Sequence, residues 1–145
     1  MRKSTTLLLF LLLLGSASKA LLAEDITGRW WTEEKDTLIQ ISADASGTWA
    51  GKIILGPKPD ERDVHNPKPE LRQRPLMGLV ILQGFVRDSP LKWKGGTIYD
   101  PESGNVYKAI IWLEKGDDAH LKLKGYVGIP LFGRTSQWTK EPESK

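Results

Sequence analysis

The chain contains two histidines, His65 and His120, and no cysteine. That inventory removes thiol nucleophiles, thiolate metal sites and disulfides together. His65 stands among Asp60, Glu61, Asp63 and Asn66, oxygen ligands dense enough to attract Ca²⁺, yet their spacing matches no known calcium loop such as the EF-hand. His120 follows Gly-Asp-Asp-Ala and reads as a solvated strand edge. No Gly-x-Ser-x-Gly elbow offers a serine nucleophile, and neither histidine is placed as its base. Paired carboxylates suit glycoside hydrolysis, and Asp63 with Asp100 would be the pair. Asp100, which precedes Pro101, is more simply a turn former. Gly95-Gly96 is followed by no helix that would present its N-terminus to a phosphate, so it reads as a bend or bulge within a strand. Arg72, Arg74 and Arg134 would grip a carboxylate with forked donors if the fold brought them together. The residues therefore supply no catalytic constellation, no metal set and no cofactor motif.

The six tryptophans are the most unusual feature of the composition. Indoles bury large areas, so core packing is the expected role for most of Trp30, Trp31, Trp49, Trp93, Trp112 and Trp138. Trp30 and Trp31 are adjacent and must point to opposite faces of one strand. Any that line a cavity would suit a flat or apolar ligand.

Alternation supplies the elements that must position these side chains. Period-two patterns place strands at 26–33, 37–43, 48–55, 79–86, around 91–94, at 106–113, around 121–124 and at 131–139. Tyr99-Asp100-Pro101-Glu102-Ser103-Gly104 reads as a turn, and the other connections are nearly all short. The chain is thus all-β, and eight antiparallel neighbours with one apolar face close into an up-and-down barrel. A sandwich is the alternative. Residues 56–75 break the pattern with five of the nine prolines and charges of both signs. A connection of that length is commonly functional, or else a solvated loop stiffened by proline.

The N-terminus sets the compartment. Arg2 and Lys3 precede the apolar run Leu7 to Leu14, and small residues follow up to Ser18-Lys19-Ala20. This is the order of a secretory signal peptide, with cleavage after Ala20 the first choice and after Ala23 the second. The apolar run is too short to cross a bilayer of roughly 30 Å. No cysteine is present for a lipid anchor, so a periplasmic or secreted product without a membrane anchor is expected. Removing residues 1–20 leaves 125 of the 145 residues as one domain, and takes three of the 21 bases, leaving 18 against 18 acids. A neutral domain lacks the electrostatic footprint of a nucleic-acid binder and gives no reason to expect attraction to a membrane surface.

A family resemblance rests on motifs along the whole of that domain. Gly28-Arg29-Trp30 opens it, and Asp63-Val64-His65-Asn66-Pro67 precedes Leu71-Arg72-Gln73-Arg74-Pro75-Leu76-Met77-Gly78. Trp93 to Pro101 follows, with Gly104 and Tyr107, then Gly125-Tyr126-Val127-Gly128, Leu131 to Thr135 and Trp138. This order resembles the domain-of-unknown-function 2147 family of exported bacterial proteins. The resemblance implies a lipocalin-like barrel and no established activity. Many members carry cysteines where this chain has Asp44 to Gly51 and Met77-Gly78, so no thiol role transfers. Gly28-x-Trp30 is also similar to the first-strand motif of lipocalins proper, which implies that Arg134 lies over Trp30 and plugs one barrel end.

Together these readings describe an exported cell-envelope module, binding or structural, whose partner would be a small apolar or amphipathic ligand in the barrel. Candidate ligand contacts are Trp30, Asp63, Asn66, Arg72, Arg74, Tyr99, Tyr107 and Arg134. Two alternatives stay open: an envelope hydrolase using loop carboxylates, and a protein-interaction module whose barrel is full. The balance of residues favours a role without catalysis.

Overall fold

A computed structural model describes residues 24–56 and 58–143, so the leader read at residues 1–20 lies outside the described residues. Eight strands follow one another: β1 (Gly28–Trp31), β2 (Leu38–Ala43), β3 (Thr48–Leu55), β4 (Val80–Ser89), β5 (Lys92–Asp100), β6 (Asn105–Leu113), β7 (His120–Tyr126) and β8 (Arg134–Lys140). Each pairs antiparallel with the next, and β8 returns to β1, giving a closed up-and-down barrel. The sandwich alternative is thereby excluded. The closing seam is short, with Trp30 opposite Lys140 and Trp31 opposite Thr139. Single 3-10 turns occur at Pro69–Leu71 and Pro130–Phe132, and no described helix is long and apolar enough to cross a membrane.

Several boundaries differ from the sequence reading, among them that of the first strand, read as 26–33 and found at Gly28–Trp31, and that of the fourth, read as 79–86 and found at Val80–Ser89. Tyr99 and Asp100 belong to β5, where they pair with Val106 and Asn105, so the turn begins at Pro101. Leu131 and Phe132 lie in an exposed 3-10 turn, because Pro130 lacks the N–H that a strand ladder needs. Gly96 does mark an irregularity, as its type suggests. The β5–β6 register shifts between Trp93 and Gly96, and a Cβ at Gly96 would meet the Phe85 ring at 2.5 Å. The bare backbone there makes room for a core phenyl.

The barrel has two unlike ends. At one, the turns β2–β3, β4–β5 and β6–β7 meet the chain entering β1, and the interior is solid. Trp30, Trp93 and Phe85 are fully buried, and Trp49 meets Trp93 edge to face at 5.9 Å between centroids. Residues 24–27 fold across this end. The Trp30 indole donates to the Ile26 carbonyl at 2.8 Å, and Trp49 donates to Asp25 at 3.0 Å. Arg87 lays its guanidinium 4.6 Å from the Trp93 centroid and donates to the carbonyls of Glu24 and Pro90.

This corrects the expectation for Arg134. Trp30 pairs with Lys140, so Arg134 lies at the opposite end of the seven-residue β8, roughly 20 Å away at strand rise. The cation near the Trp30 ring is the Lys140 ammonium, 5.7 Å from its centroid, and the stacked guanidinium of the closed end is Arg87. Arg87→Met keeps the stem but removes two charge-assisted hydrogen bonds and the indole contact. It is expected to cost about 2–3 kcal/mol in urea unfolding, whereas Arg134→Met, at a mostly exposed position, should cost under about 0.5 kcal/mol.

Candidate functional site

Beyond the indoles the barrel opens outward. A cavity of about 1300 Å³ opens at the end formed by the β1–β2, β3–β4, β5–β6 and β7–β8 connections. Ile53, Ile81, Ile98, Leu123 and Trp138 are among its apolar walls, and Met77 reaches in from the long connection. These positions follow from strand alternation: the inward residues nearest the filled end meet the indoles, and those nearer the mouth face space. The rim is ionic. Glu33, Asp36, Glu61 and Glu102 stand there with Arg62 and Arg134. The site thus has an apolar body and a charged collar.

The long connection carries a buried polar cluster that fixes it to the barrel wall. Asp63 is fully buried, although its neighbours Arg62 and Val64 are exposed. Arg74 donates to its Oδ2 at 2.8 Å, Asn66 donates to the same oxygen at 2.9 Å, and the Tyr99 hydroxyl donates to Oδ1. Backbone bonds tie the same segment: Asp63 N–H to the Arg74 carbonyl at 3.0 Å and Leu76 N–H to the Glu61 carbonyl at 3.0 Å. Burial pushes the Asp63 carboxyl up, but the hydrogen bonds from Tyr99, Asn66 and Arg74, with the Arg74 charge, outweigh it and hold the group below the usual aspartate range. Burial and the hydrogen bond to Asp63 push the Tyr99 phenol above its usual range. The connection is therefore a pinned cover, with Tyr99 as its anchor on β5.

The eight candidate contacts separate into groups. Tyr99, Tyr107 and Arg134 line the cavity. Asn66 and Arg74, again with Tyr99, line a second cleft of about 520 Å³ between the long connection and the outside of the barrel. Asp63, Arg72 and Trp30 line neither. The three arginines are not joined into one carboxylate grip. Arg74 is held by Asp63, Arg72 donates to the Asn66 carbonyl at 2.8 Å, and Arg134 faces Glu33 at 3.7 Å. Each finds an intramolecular acceptor first. Asp63 and Asp100 do not form a shared acid–base pair either. Both Asp63 oxygens are taken within the cluster, and Asp100 caps its own turn through the Glu102 N–H and the Ser103 hydroxyl.

Residues that sequence reasoning passed over include Ile98, Leu123, Ser136 and Met77. Alternation marks the first three as inward; which part of the interior stays empty depends on three-dimensional packing that alternation does not encode. Arg87 carried no signal, since Arg-Asp-Ser-Pro resembles any polar turn.

Among solved structures, a similar fold is that described as protein HP1028 from the human pathogen Helicobacter pylori, which belongs to the lipocalin family. The match has a TM-score of 0.74 at 21% identity and covers 82% of this chain and 84% of that one. The barrel is thus lipocalin-like in fold. No curated protein matches the chain. Residues 28–140, the whole barrel from β1 to β8, match the family described as an uncharacterized protein conserved in bacteria (DUF2147), and the chain belongs to that family.

Proposed function

We propose that this protein is an exported bacterial envelope module that carries a small amphipathic molecule in the open half of its barrel. One observation bears most of the weight: a cavity of about 1300 Å³ with aliphatic and indole walls and an ionic rim. The interaction-module alternative rests on a barrel filled by tryptophans, and the cavity at the open end weighs against it. The order of charges, apolar residues and small residues in residues 2–20 supports passage out of the cytoplasm, to the periplasm or beyond. An apolar body resting on Ile53, Ile98 and Leu123 would lose its water, while a polar head would remain among the rim charges.

Ser136 tests this reading because it is small, faces the cavity from β8 and sits opposite Leu123. Ser136→Trp places an indole in the empty space without touching the filled end. Protein beginning at Glu24 should enhance the fluorescence of N-phenyl-1-naphthylamine, and Ser136→Trp should weaken that binding by about tenfold or more, a loss of about 1.4 kcal/mol. Equal binding by both proteins, with unchanged circular dichroism, would move the ligand out of the barrel.

A further inference from the structure

Most apolar side chains are inside the barrel, but four of those outside are gathered in one loop. Between β7 and β8, Val127, Ile129, Leu131 and Phe132 are 73%, 53%, 75% and 79% exposed. Scattered exposed hydrophobics are ordinary; four in six consecutive residues are not. The loop is seated firmly. Phe132 and Gly133 N–H groups bond the carbonyls of Ile129 and Pro130, and a Cβ on Gly133 would lie 2.9 Å from Tyr126 Cβ and 3.0 Å from Lys124 Cε. Val127 and Phe132 also line the cavity mouth, so the tip and the entrance are continuous.

The strand charges leading into the tip are positive, and just past it Arg134 is paired with Glu33 at 3.7 Å. Lys124 precedes it on the outer face of β7, and Lys108 stands opposite Tyr126 on β6. Neither lysine forms an ion pair among the described residues. The acids Glu33, Glu34 and Asp36 lie in the β1–β2 connection, also at the cavity mouth. A chain with equal bases and acids beyond residue 20 thus keeps a local asymmetry at its open end.

We propose that the tip at 127–132 docks the barrel mouth onto an anionic lipid surface. An aliphatic and aromatic wedge can enter the headgroup–acyl boundary while flanking lysines meet phosphates, and each such lysine adds attraction to an anionic leaflet. The repulsion of Glu33, Glu34 and Asp36 turns the barrel so that β6 and β7 face the membrane. A second copy of the chain fits the tip less well. A patch of four side chains falls within the roughly 300–600 Å² of an ordinary functional patch, below the roughly 800 Å² per partner of a stable protein pair. Docking places the cavity entrance against the source of amphipathic molecules, yet it requires no ligand in the cavity.

Vesicle flotation tests the idea with protein beginning at Glu24, since the barrel closes within the residues from there on. The protein should float with vesicles of phosphatidylethanolamine and phosphatidylglycerol and much less with phosphatidylcholine alone. Leu131→Ser with Phe132→Ser should reduce the floated fraction by about tenfold or more on anionic vesicles. Lys108→Ser with Lys124→Ser should reduce it by about fivefold or more, and added salt should do the same to the unaltered protein. Ser136→Trp should float like the unaltered protein, so failure of ligand binding and failure of docking are read separately. Protein that stays at the bottom of the gradient, or an apolar-tip variant that floats fully, overturns the proposal. Sedimentation velocity showing a dimer that the tip variant abolishes would overturn it as well, assigning the tip to a second copy.

Discussion

Gly104→Ala is expected to destabilise the protein by about 3–5 kcal/mol, at the upper end for one methyl group. Gly104 is buried in the β5–β6 turn with φ +74°. A Cβ there would run directly into the His65 carbonyl, with that carbonyl's carbon 2.9 Å away. The obstacle is backbone, so no rotamer change relieves it. Either the turn must distort or the long connection must rise, and rising draws Asp63 and Asn66 away from Tyr99. Gly116→Ala supplies the comparison: φ is +79° there too, but nothing lies within 4 Å of its Cβ position. That variant carries only the strain of a left-handed residue, about 1 kcal/mol. Urea unfolding of the two proteins separates clash from strain. Equal losses would mean that the long connection does not rest on this turn.

Asp63→Asn is expected to cost about 2–4 kcal/mol near neutral pH, because it leaves Arg74 without its carboxylate and the buried cluster with one donor too many. Arg74 is partly exposed, which keeps the loss below that of a wholly buried broken pair. The pH dependence has two limbs with opposite causes. Asp63 is held below its unfolded value, so its contribution is complete above about pH 4 and is lost as pH falls through the folded value. Tyr99 is held above its unfolded value, so its contribution is complete below about pH 10 and is lost as pH rises through the folded value. Stability should therefore form a plateau between these limits. Asp63→Asn should flatten the acid limb, leaving the shallower slope of Asp44, Glu114 and Asp117, which are also lowered but exposed to water. Asp63→Asn should flatten part of the alkaline limb as well, since the hydrogen bond to Asp63 is one cause of the raised phenol. An unchanged acid limb in this variant would place the stabilising carboxylate elsewhere.

The strands were legible because Ile39 and Ile41, Leu121 and Leu123, and Trp93 each alternate with polar neighbours. That pattern has one burial solution. Barrel closure followed from having eight such segments with connections that are nearly all short. The errors arose where local chemistry resembles something else. Asp100-Pro101 looks like the heart of a turn but is a strand end, and Leu131-Phe132 looks like a strand because apolar residues are usually inward. The candidate site was legible only in outline. Asp63 sits in a run of charged residues and prolines, and its burial depends on Tyr99, 36 positions away, and Arg74, 11 away. Partner choice among arginines is likewise a tertiary outcome. Arg134 matched a motif position, but antiparallel pairing assigned Lys140 to that level of the barrel.

The seam between β1 and β8 also bears on time. Every other pairing joins strands that are neighbours in the chain, and all but β3–β4, which spans the long connection, can form as local hairpins, but the seam brings together Arg29 and Glu141, 112 positions apart. Closing so large a loop is entropically costly, so this contact should come late in folding. Until then β1 and β8 each present unpaired backbone groups, the feature through which strands of different chains find one another. The four-residue length of β1 limits that hazard. A short edge offers few groups to a wrong neighbour, and the same brevity makes the final closure depend on the Trp30 plug rather than on the ladder.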